Sequence, residues 1–246
     1  MIWTRSEDDW ESDKKLLSEL PFSVLHFPCI KVFPIDYRLS EEGYNKFVIT
    51  SPKAVAYAWQ DIRIRSMLKK AAMVYTFGKK TRQILAEHAL QVEAPAGVKG
   101  SRELAKHLER ELSKEDKILV LGAVRPAFDL VHYLKECHFN ADYLALYQTK
   151  PDGKPQDRIM NDHQSLIGSV VCFASPSAVN GFEQLIGEKQ CLWFYEHLVA
   201  VVIGDTTAEQ CSTCYKRVII SKESSIPALI EAAKNFLMQG RKREPT

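Results

Sequence analysis

The stretch Val48-Ile49-Thr50-Ser51-Pro52-Lys53-Ala54-Val55 recurs, in altered form, as Cys172-Phe173-Ala174-Ser175-Pro176-Ser177-Ala178-Val179. In both copies an apolar run ends at a Ser-Pro pair, and an Ala-Val pair follows. A short apolar run bounded by such a turn is typical of a buried parallel strand. Proline suits the first helical position, and the serine before it can cap exposed amides. Each copy therefore predicts a strand, a polar turn and a helix whose N-terminus can bind an anion.

Other turns of the chain repeat with nearly the same spacing. Ser175 follows Ser51 by 124 residues, and Gly204 follows Gly78 by 126 residues. A nearly constant offset across successive strand-to-helix junctions indicates an internal duplication. The unit has about five strands with their helices, and two copies are too few for a solenoid array.

Strands that alternate with helices at this spacing predict an α/β protein with parallel sheets covered by helices on both faces. Linker signals lie near 34–38 and 150–155, after the second strand of each unit. We infer that the first two strands of each unit complete the sheet of the other. The predicted domains are 1–35 with 155–246, and 38–150, with ligand loops along a cleft between them.

Two predicted elements contain a proline that affects their shape or their start. The segment Val24 to Val32 alternates in polarity and contains Pro28, so we expect one strand that bends. The segment Pro126 to Cys137 is expected to be one helix that begins at its proline.

The composition is that of an average soluble protein and excludes several functions. The chain has 246 residues, of which 46% are hydrophobic and 26% charged, and its net charge is +2. This charge predicts neither nucleic-acid binding nor a charged tail, so recognition of an anion must be local. No apolar run approaches the roughly 20 residues that span a membrane, and the N-terminus lacks the apolar segment of a signal peptide. We expect a cytoplasmic protein without a membrane partner.

The cysteines and glycines argue against metal, redox and nucleotide chemistry. Six cysteines are scattered, several in apolar runs, which suits reduced thiols. Cys211-x-x-Cys214 has ligand or redox spacing but no second pair or nearby histidine, so we interpret it as structural and predict no metal site. Neither Gly-x-Gly-x-x-Gly nor Gly-x-x-x-x-Gly-Lys-[Ser/Thr] occurs, which disfavours a nucleotide-dependent enzyme.

Taken together, the order and spacing of these motifs resemble the uroporphyrinogen-III synthase family over nearly the whole chain. Each motif alone is common in α/β proteins, whereas their succession is far more specific. The resemblance rests on Arg5, Thr50-Ser51-Pro52-x-Ala54-Val55, Gly78-x-x-Thr81, Val120-Leu121-Gly122-x-x-Arg125, Tyr147-Gln148-Thr149, Ser175-Pro176-Ser177-Ala178-Val179 and Gly204-x-Thr206-Thr207-Ala208.

The resemblance implies two flavodoxin-like α/β domains joined by a two-stranded linker, with the active site in the cleft between them. It also implies a monomeric, cofactor-free lyase that closes hydroxymethylbilane, a linear tetrapyrrole with several carboxylates, into uroporphyrinogen III for haem biosynthesis. The hydroxyl leaves as water, and the terminal ring is inverted before closure. The main task of the protein is then to hold the chain so that the inverted closure is favoured.

The candidate site residues follow from this resemblance and from the residue types at the loops. Tyr147 is the catalytic candidate, because a neutral phenol can donate a hydrogen bond to the departing hydroxyl. Hydroxyls, helix N-termini and local cations would bind the substrate carboxylates. The predicted substrate-binding residues are Arg5, Thr50, Ser51, Lys53, Gly78, Thr81, Arg125, Ser175, Ser177, Gly204, Thr206 and Thr207.

Other interpretations of the same residues remain open. A serine or threonine at a helix start is often only a cap, and Tyr147 beside a linker can simply cover a sheet edge. The alternative function is a two-domain module that binds a small anion without chemistry, which predicts saturable binding and no turnover.

Overall fold

The computed structural model describes residues 1–40, 43–153, 159 and 163–241, and in this part of the chain strands and helices alternate. The strands are β1 (Ile2–Trp3), β2 (Leu25–His26), β3 (Ile30–Pro34), β4 (Lys46–Ile49), β5 (Met73–Tyr75), β6 (Val92–Glu93), β7 (Lys117–Ala123), β8 (Asn140–Pro151), β9 (Val170–Phe173), β10 (Val199–Val202) and β11 (Val218–Ile220). The helices are α1 (Glu7–Leu17), α2 (Pro52–Gln60), α3 (Ile62–Lys70), α4 (Lys79–Glu87), α5 (Ser101–Glu111), α6 (Leu130–Glu136), α7 (Pro176–Ile186), α8 (Glu188–His197), α9 (Asp205–Ser212) and α10 (Ile226–Arg241). A 3₁₀ turn covers His163–Leu166.

The described strands form two sheets. One has the order β11-β10-β9-β1-β2, and the other has the order β3-β8-β7-β4-β5-β6. The five strands of the first sheet run parallel to their neighbours, as do β8, β7, β4, β5 and β6 of the second. This confirms the predicted fold class, α/β with two parallel sheets.

Each sheet combines strands from both halves of the chain. In the first sheet β1 pairs with β9, so that Ile2 lies beside Val171. In the second sheet β7 pairs with β4, so that Ile118 lies beside Lys46. If the five parallel strands of each sheet are numbered along the two repeats, both sheets have the order 2-1-3-4-5, which is that of flavodoxin-like folds.

The chain divides into two compact units, one of residues 1–31 and 149–246 and the other of residues 32–148. The chain passes from one unit to the other within β3 and within β8, which are neighbours in the second sheet. The predicted linker positions, near 34–38 and 150–155, stay a prediction. The predicted domain segment that starts at 155 begins outside the described residues.

Both sheets are buried on both faces. All four residues of β9 are buried and alternate between two clusters, since Val171 and Phe173 pack with α7 and α8 whereas Val170 and Cys172 pack with α10. In the second sheet, β4 and β7 divide their residues in the same way between two apolar clusters. The continuous apolar runs at the centre of each repeat are therefore what a doubly covered parallel sheet requires.

Two of the predicted elements are wrong in extent. The segment Val24 to Val32 is two strands in different sheets, β2 and β3, because Pro28 between them has no amide to donate to a ladder. The helix predicted from Pro126 begins only at Leu130, where the Asp129 side chain accepts a hydrogen bond from the amide of His132 at 2.9 Å. Helices α3 and α8 are not predicted from the sequence, because each follows its predecessor after a single residue.

Asp61 separates α2 from α3. Its carboxylate accepts hydrogen bonds from the amide and guanidinium of Arg63, both at 2.8 Å, and from the Tyr37 hydroxyl at 2.6 Å. These bonds hold the pKa of Asp61 well below its usual range, and the bond from the Arg63 side chain has the largest effect. Burial and the bond to Asp61 raise the pKa of Tyr37 to about 12. The charged form of Asp61 is therefore the form that stabilises this junction.

The variant Asp61→Asn tests this charge, since asparagine caps a helix about as well as aspartate. The folded-state pKa lies below the unfolded value of about 3.9, so the contribution of Asp61 is present above about pH 4 and is lost as the pH falls further. We expect the variant to be less stable than the wild type at pH 7 and the difference to shrink below about pH 4. Urea unfolding at several pH values measures it, and a difference independent of pH would contradict this assignment.

Candidate functional site

Ser51 and Ser175 occupy equivalent places at the ends of β4 and β9. Ser51 accepts a hydrogen bond from the amide of Ala54 at 3.0 Å, and Ser175 accepts one from the amide of Ala178 at 3.2 Å. Both serines have extended backbone, and a proline follows each at the first helical position. The capping role predicted from the sequence is therefore confirmed for both. Each cap leaves further first-turn amides of its helix at the carboxyl end of a parallel strand, where α/β proteins bind ligands.

Tyr147 lies beside the first of these caps. Its hydroxyl is 3.1 Å from the Ser51 hydroxyl, and its ring stacks on Tyr57 with 5.4 Å between ring centroids. Only 8% of the residue is exposed. Burial raises the pKa of the Tyr147 phenol, and the hydrogen bond with Ser51 opposes part of that rise. The phenol is therefore protonated at neutral pH, held in one orientation, and suited to donate a hydrogen bond.

The next strand end of the same unit carries Gly78. Its φ of +81° is accessible to glycine at little cost, and it precedes α4 without a side-chain cap. Thr81, in the first turn of α4, is buried with 4% exposure, while Lys79 and Lys80 are exposed. An uncapped helix start flanked by lysines favours an anion.

The corresponding strand end of the other unit is Gly204, before α9. Thr206 is exposed there, whereas Thr207 is 1% exposed. The Thr207 hydroxyl has no hydrogen-bond partner among the described residues. Buried polar groups are nearly always paired, so this hydroxyl is an exception within the described part of the chain.

The remaining predicted residues differ in their surroundings. Arg125 is exposed in the segment after β7, while Thr50 and Lys53 are half-buried on either side of the Ser51 cap. Ser177 lies beside Ser175, with 3.0 Å between the hydroxyls.

Arg5 is engaged within its own unit. Its guanidinium is 2.6 Å and 2.7 Å from the two carboxylate oxygens of Asp13 and 3.0 Å from Asp9. Two carboxylates thus already compensate its charge, and contact between Arg5 and a substrate stays a prediction.

Sequence reasoning missed two tyrosines that bear on Tyr147. Tyr57 lies on α2 and supplies the stacking surface, and Tyr143 lies on the same strand as Tyr147. Helical spacing marks Tyr57 as a half-buried position, but no local pattern connects it to residue 147.

Two further properties concern metals and membranes. Over residues 1–40, 43–153, 159 and 163–241, no group of three His, Cys, Asp or Glu side chains is placed to hold a metal ion. In the same part of the chain, none of the helices has the length and apolar character needed to cross a bilayer.

The comparison with protein families decides where the chain belongs. A sequence model described as uroporphyrinogen-III synthase HemD matches residues 11–231, which include both Ser-Pro turns and Tyr147. The chain belongs to the uroporphyrinogen-III synthase family. The resemblance recognised from its motifs is thereby confirmed.

Individual members of the uroporphyrinogen-III synthase family are distant in sequence. The chain is 23% identical over 243 residues to the porphyrin biosynthesis protein HemD of Ruminiclostridium josui. The aligned region covers 94% of this chain and 47% of that relative. The chain thus spans about half the length of the curated relative it matches.

Solved structures of the family share the fold. Uroporphyrinogen-III synthetase from Helicobacter pylori has a TM-score of 0.64 at 18% identity, covering 95% of this chain and 97% of that one. A mutant uroporphyrinogen-III synthase from Thermus thermophilus has a TM-score of 0.62 at 18% identity, covering 97% and 98%. At this identity the likeness concerns the fold alone.

Proposed function

We propose that the chain is a uroporphyrinogen-III synthase, a cofactor-free cyclising lyase of haem biosynthesis that acts on hydroxymethylbilane. The observation that carries this proposal is the family match over residues 11–231. The oriented, protonated phenol of Tyr147 beside a helix start supports it, because the reaction needs a hydrogen-bond donor where a hydroxyl leaves.

In the proposed reaction the terminal hydroxymethyl group loses its hydroxyl as water. The carbon left behind is electrophilic, because the electron-rich pyrrole supplies the electrons that expel the hydroxyl. It bonds to the substituted carbon of the last ring and so forms a spiro intermediate. The bond between that carbon and its original methylene bridge then breaks, and the methylene bonds to the free α carbon of the same ring, so that the ring is inverted when the macrocycle closes. That α carbon loses its proton as the ring regains its aromaticity, which balances the proton taken up when the hydroxyl leaves as water, so no external oxidant or reductant is required.

Tyr147 has the role of assisting departure of the hydroxyl. Its raised pKa makes it a weak acid, so it acts by donating a hydrogen bond rather than by releasing a proton to solvent. Ser51 and Tyr57 restrict the phenol from two sides, one through the 3.1 Å hydroxyl contact and the other through the stacked ring.

The substrate carboxylates are proposed to bind at the helix starts of each unit. Amides and hydroxyls at these places bind carboxylates without many buried cations. The residues proposed for this role are Thr50, Ser51, Lys53, Gly78, Thr81 and Arg125 in the second unit, and Arg5, Ser175, Ser177, Gly204, Thr206 and Thr207 in the first.

The test is product analysis with freshly made hydroxymethylbilane. Spontaneous closure gives the type I isomer, so purified protein should shift the product to type III, and heat-denatured protein is the control. An unchanged isomer ratio would contradict the proposal. If the chain is instead an anion-binding module, the substrate will bind saturably without turnover.

We also propose that the chain acts as a cytoplasmic monomer, without nucleic acid or a membrane as partner. Its near-neutral net charge of +2 disfavours a nucleic-acid partner, and its six free cysteines suit a reducing compartment, while the monomer is what the family resemblance implies. Light scattering of the purified chain should give 28.0 kDa, and a multiple of this mass would contradict the monomer.

A further inference from the structure

The two tyrosines of β8 lie on opposite faces of the second sheet, although they are four residues apart. In a regular strand, residues separated by four point to the same face. Tyr143 packs against the cluster that contains Val120 and Leu130, whereas Tyr147 belongs to the cluster that contains Leu121 and Val55. The strand must therefore contain an irregularity between the two tyrosines.

The pairing of β8 with β7 shows where this irregularity lies. Gly122 is opposite Ala145, but the next residue, Ala123, is opposite Tyr147, so that Leu146 is an extra residue. Such a bulge is rare between parallel strands and re-aims the side chains that follow it. If the pairing were regular, Ala123 would lie opposite Leu146, and Tyr147 would point to the face of Tyr143 because side chains alternate. The Tyr147 hydroxyl would then be on the side of the sheet away from Ser51.

Tyr143 holds the neighbouring strand at this point. Its hydroxyl donates a hydrogen bond to the carbonyl of Ala123 at 2.6 Å. Gly122 makes room for the phenol, since a Cβ at that position would lie 3.2 Å from Cζ of Tyr143 and still closer to its hydroxyl. Both β7 residues beside the register shift therefore adjoin Tyr143. Ala123 accepts its hydrogen bond, and Gly122 leaves the space that its phenol occupies.

We propose that Tyr143 is a positioning residue that, together with Gly122, maintains the β8 bulge and so directs Tyr147 towards Ser51. This rests on the proposed role of Tyr147 in the synthase reaction. It also gives a reason for the glycine in the Val120-Leu121-Gly122 motif that is independent of any contact with substrate.

The variant Tyr143→Phe keeps the ring and removes only the hydroxyl that bonds Ala123. We expect kcat to fall about 10-fold with little change in KM, less than the loss expected for Tyr147, because misplacement of a catalytic group weakens its action without removing it. Gly122→Ala should have the same effect by displacing the Tyr143 ring. The matched control is Tyr44→Phe, whose lost hydroxyl bonds Asp142 at 3.0 Å near the start of β8, away from the bulge.

Two measurements separate positioning from a merely structural role. In the Tyr147→Phe background, Tyr143→Phe should cause no further loss of turnover, since it acts through the missing hydroxyl. Carbon-13 labelling of tyrosine Cζ gives a second readout without substrate: the Tyr147 resonance should move in Tyr143→Phe and Gly122→Ala, but not in Tyr44→Phe.

The outcomes distinguish this inference from the proposed function. A wild-type chain that does not change the isomer ratio would refute the proposed function, and the role of Tyr143 in catalysis with it. An active wild type with normal turnover in Tyr143→Phe would overturn only the positioning role, whether or not the Tyr147 resonance moves. A loss that adds fully to that of Tyr147→Phe would overturn it too.

Discussion

Replacing Tyr147 by phenylalanine should lower kcat for type III formation by about 10²-fold, as expected for the loss of a positioned hydrogen-bond donor. The phenylalanine ring can still stack on Tyr57, and Ser51 still caps α2 through the amide of Ala54. The stability cost should therefore be only about 1 kcal/mol, that of one hydrogen bond. Isomer-resolved product analysis and circular dichroism measure the two effects.

The matched control for this variant is Tyr133→Phe. The control variant also removes a phenolic hydroxyl, which donates a hydrogen bond to Glu109 at 2.6 Å. The bond lies on the surface of the same unit. Turnover of the control should stay at the wild-type level. A near-normal rate in Tyr147→Phe would instead assign catalysis to substrate positioning alone, with the pyrroles expelling the hydroxyl unaided.

Replacing Asp13 by alanine should destabilise the first unit by about 3 kcal/mol. Asp13 is 2% exposed and accepts hydrogen bonds from the Arg5 guanidinium and from the indole N–H of Trp3 at 3.0 Å. Alanine leaves the buried indole N–H without its acceptor and Arg5 with Asp9 alone, and unpaired buried groups are costly. The expected loss is at the low end for a broken buried ion pair, because Asp9 still pairs with Arg5 and 15% of the Arg5 side chain is exposed.

Urea unfolding followed by tryptophan fluorescence measures this change. Glu11→Ala is the control, since Glu11 lies on the same helix and is exposed, and it should change the free energy of unfolding by less than about 0.5 kcal/mol. If both variants unfold alike, the Asp13 cluster contributes nothing measurable to stability.

Part of the candidate site could be predicted because its chemistry is local. The Ser51 and Ser175 caps join residues three apart, so a Ser-Pro pair after an apolar run is sufficient to predict them. The bond between Ser51 and Tyr147 joins residues 96 apart, and the stacked Tyr57 lies on another element. No local pattern specifies these partners. The family resemblance drew attention to Tyr147 and to Ser51 separately, but not to the contact between them or to Tyr57.

The Ser-Pro stretches, with their apolar strands and helix starts, were sufficient to derive the α/β class and the duplication, because periodicity and capping depend on residues close in the chain. The face on which Tyr147 lies was decided only in the folded protein. It depends on one extra residue in β8 opposite β7, and strand register is set by packing between residues distant in sequence. The contact between Gly122 and Tyr143 likewise exists only once the sheets have formed.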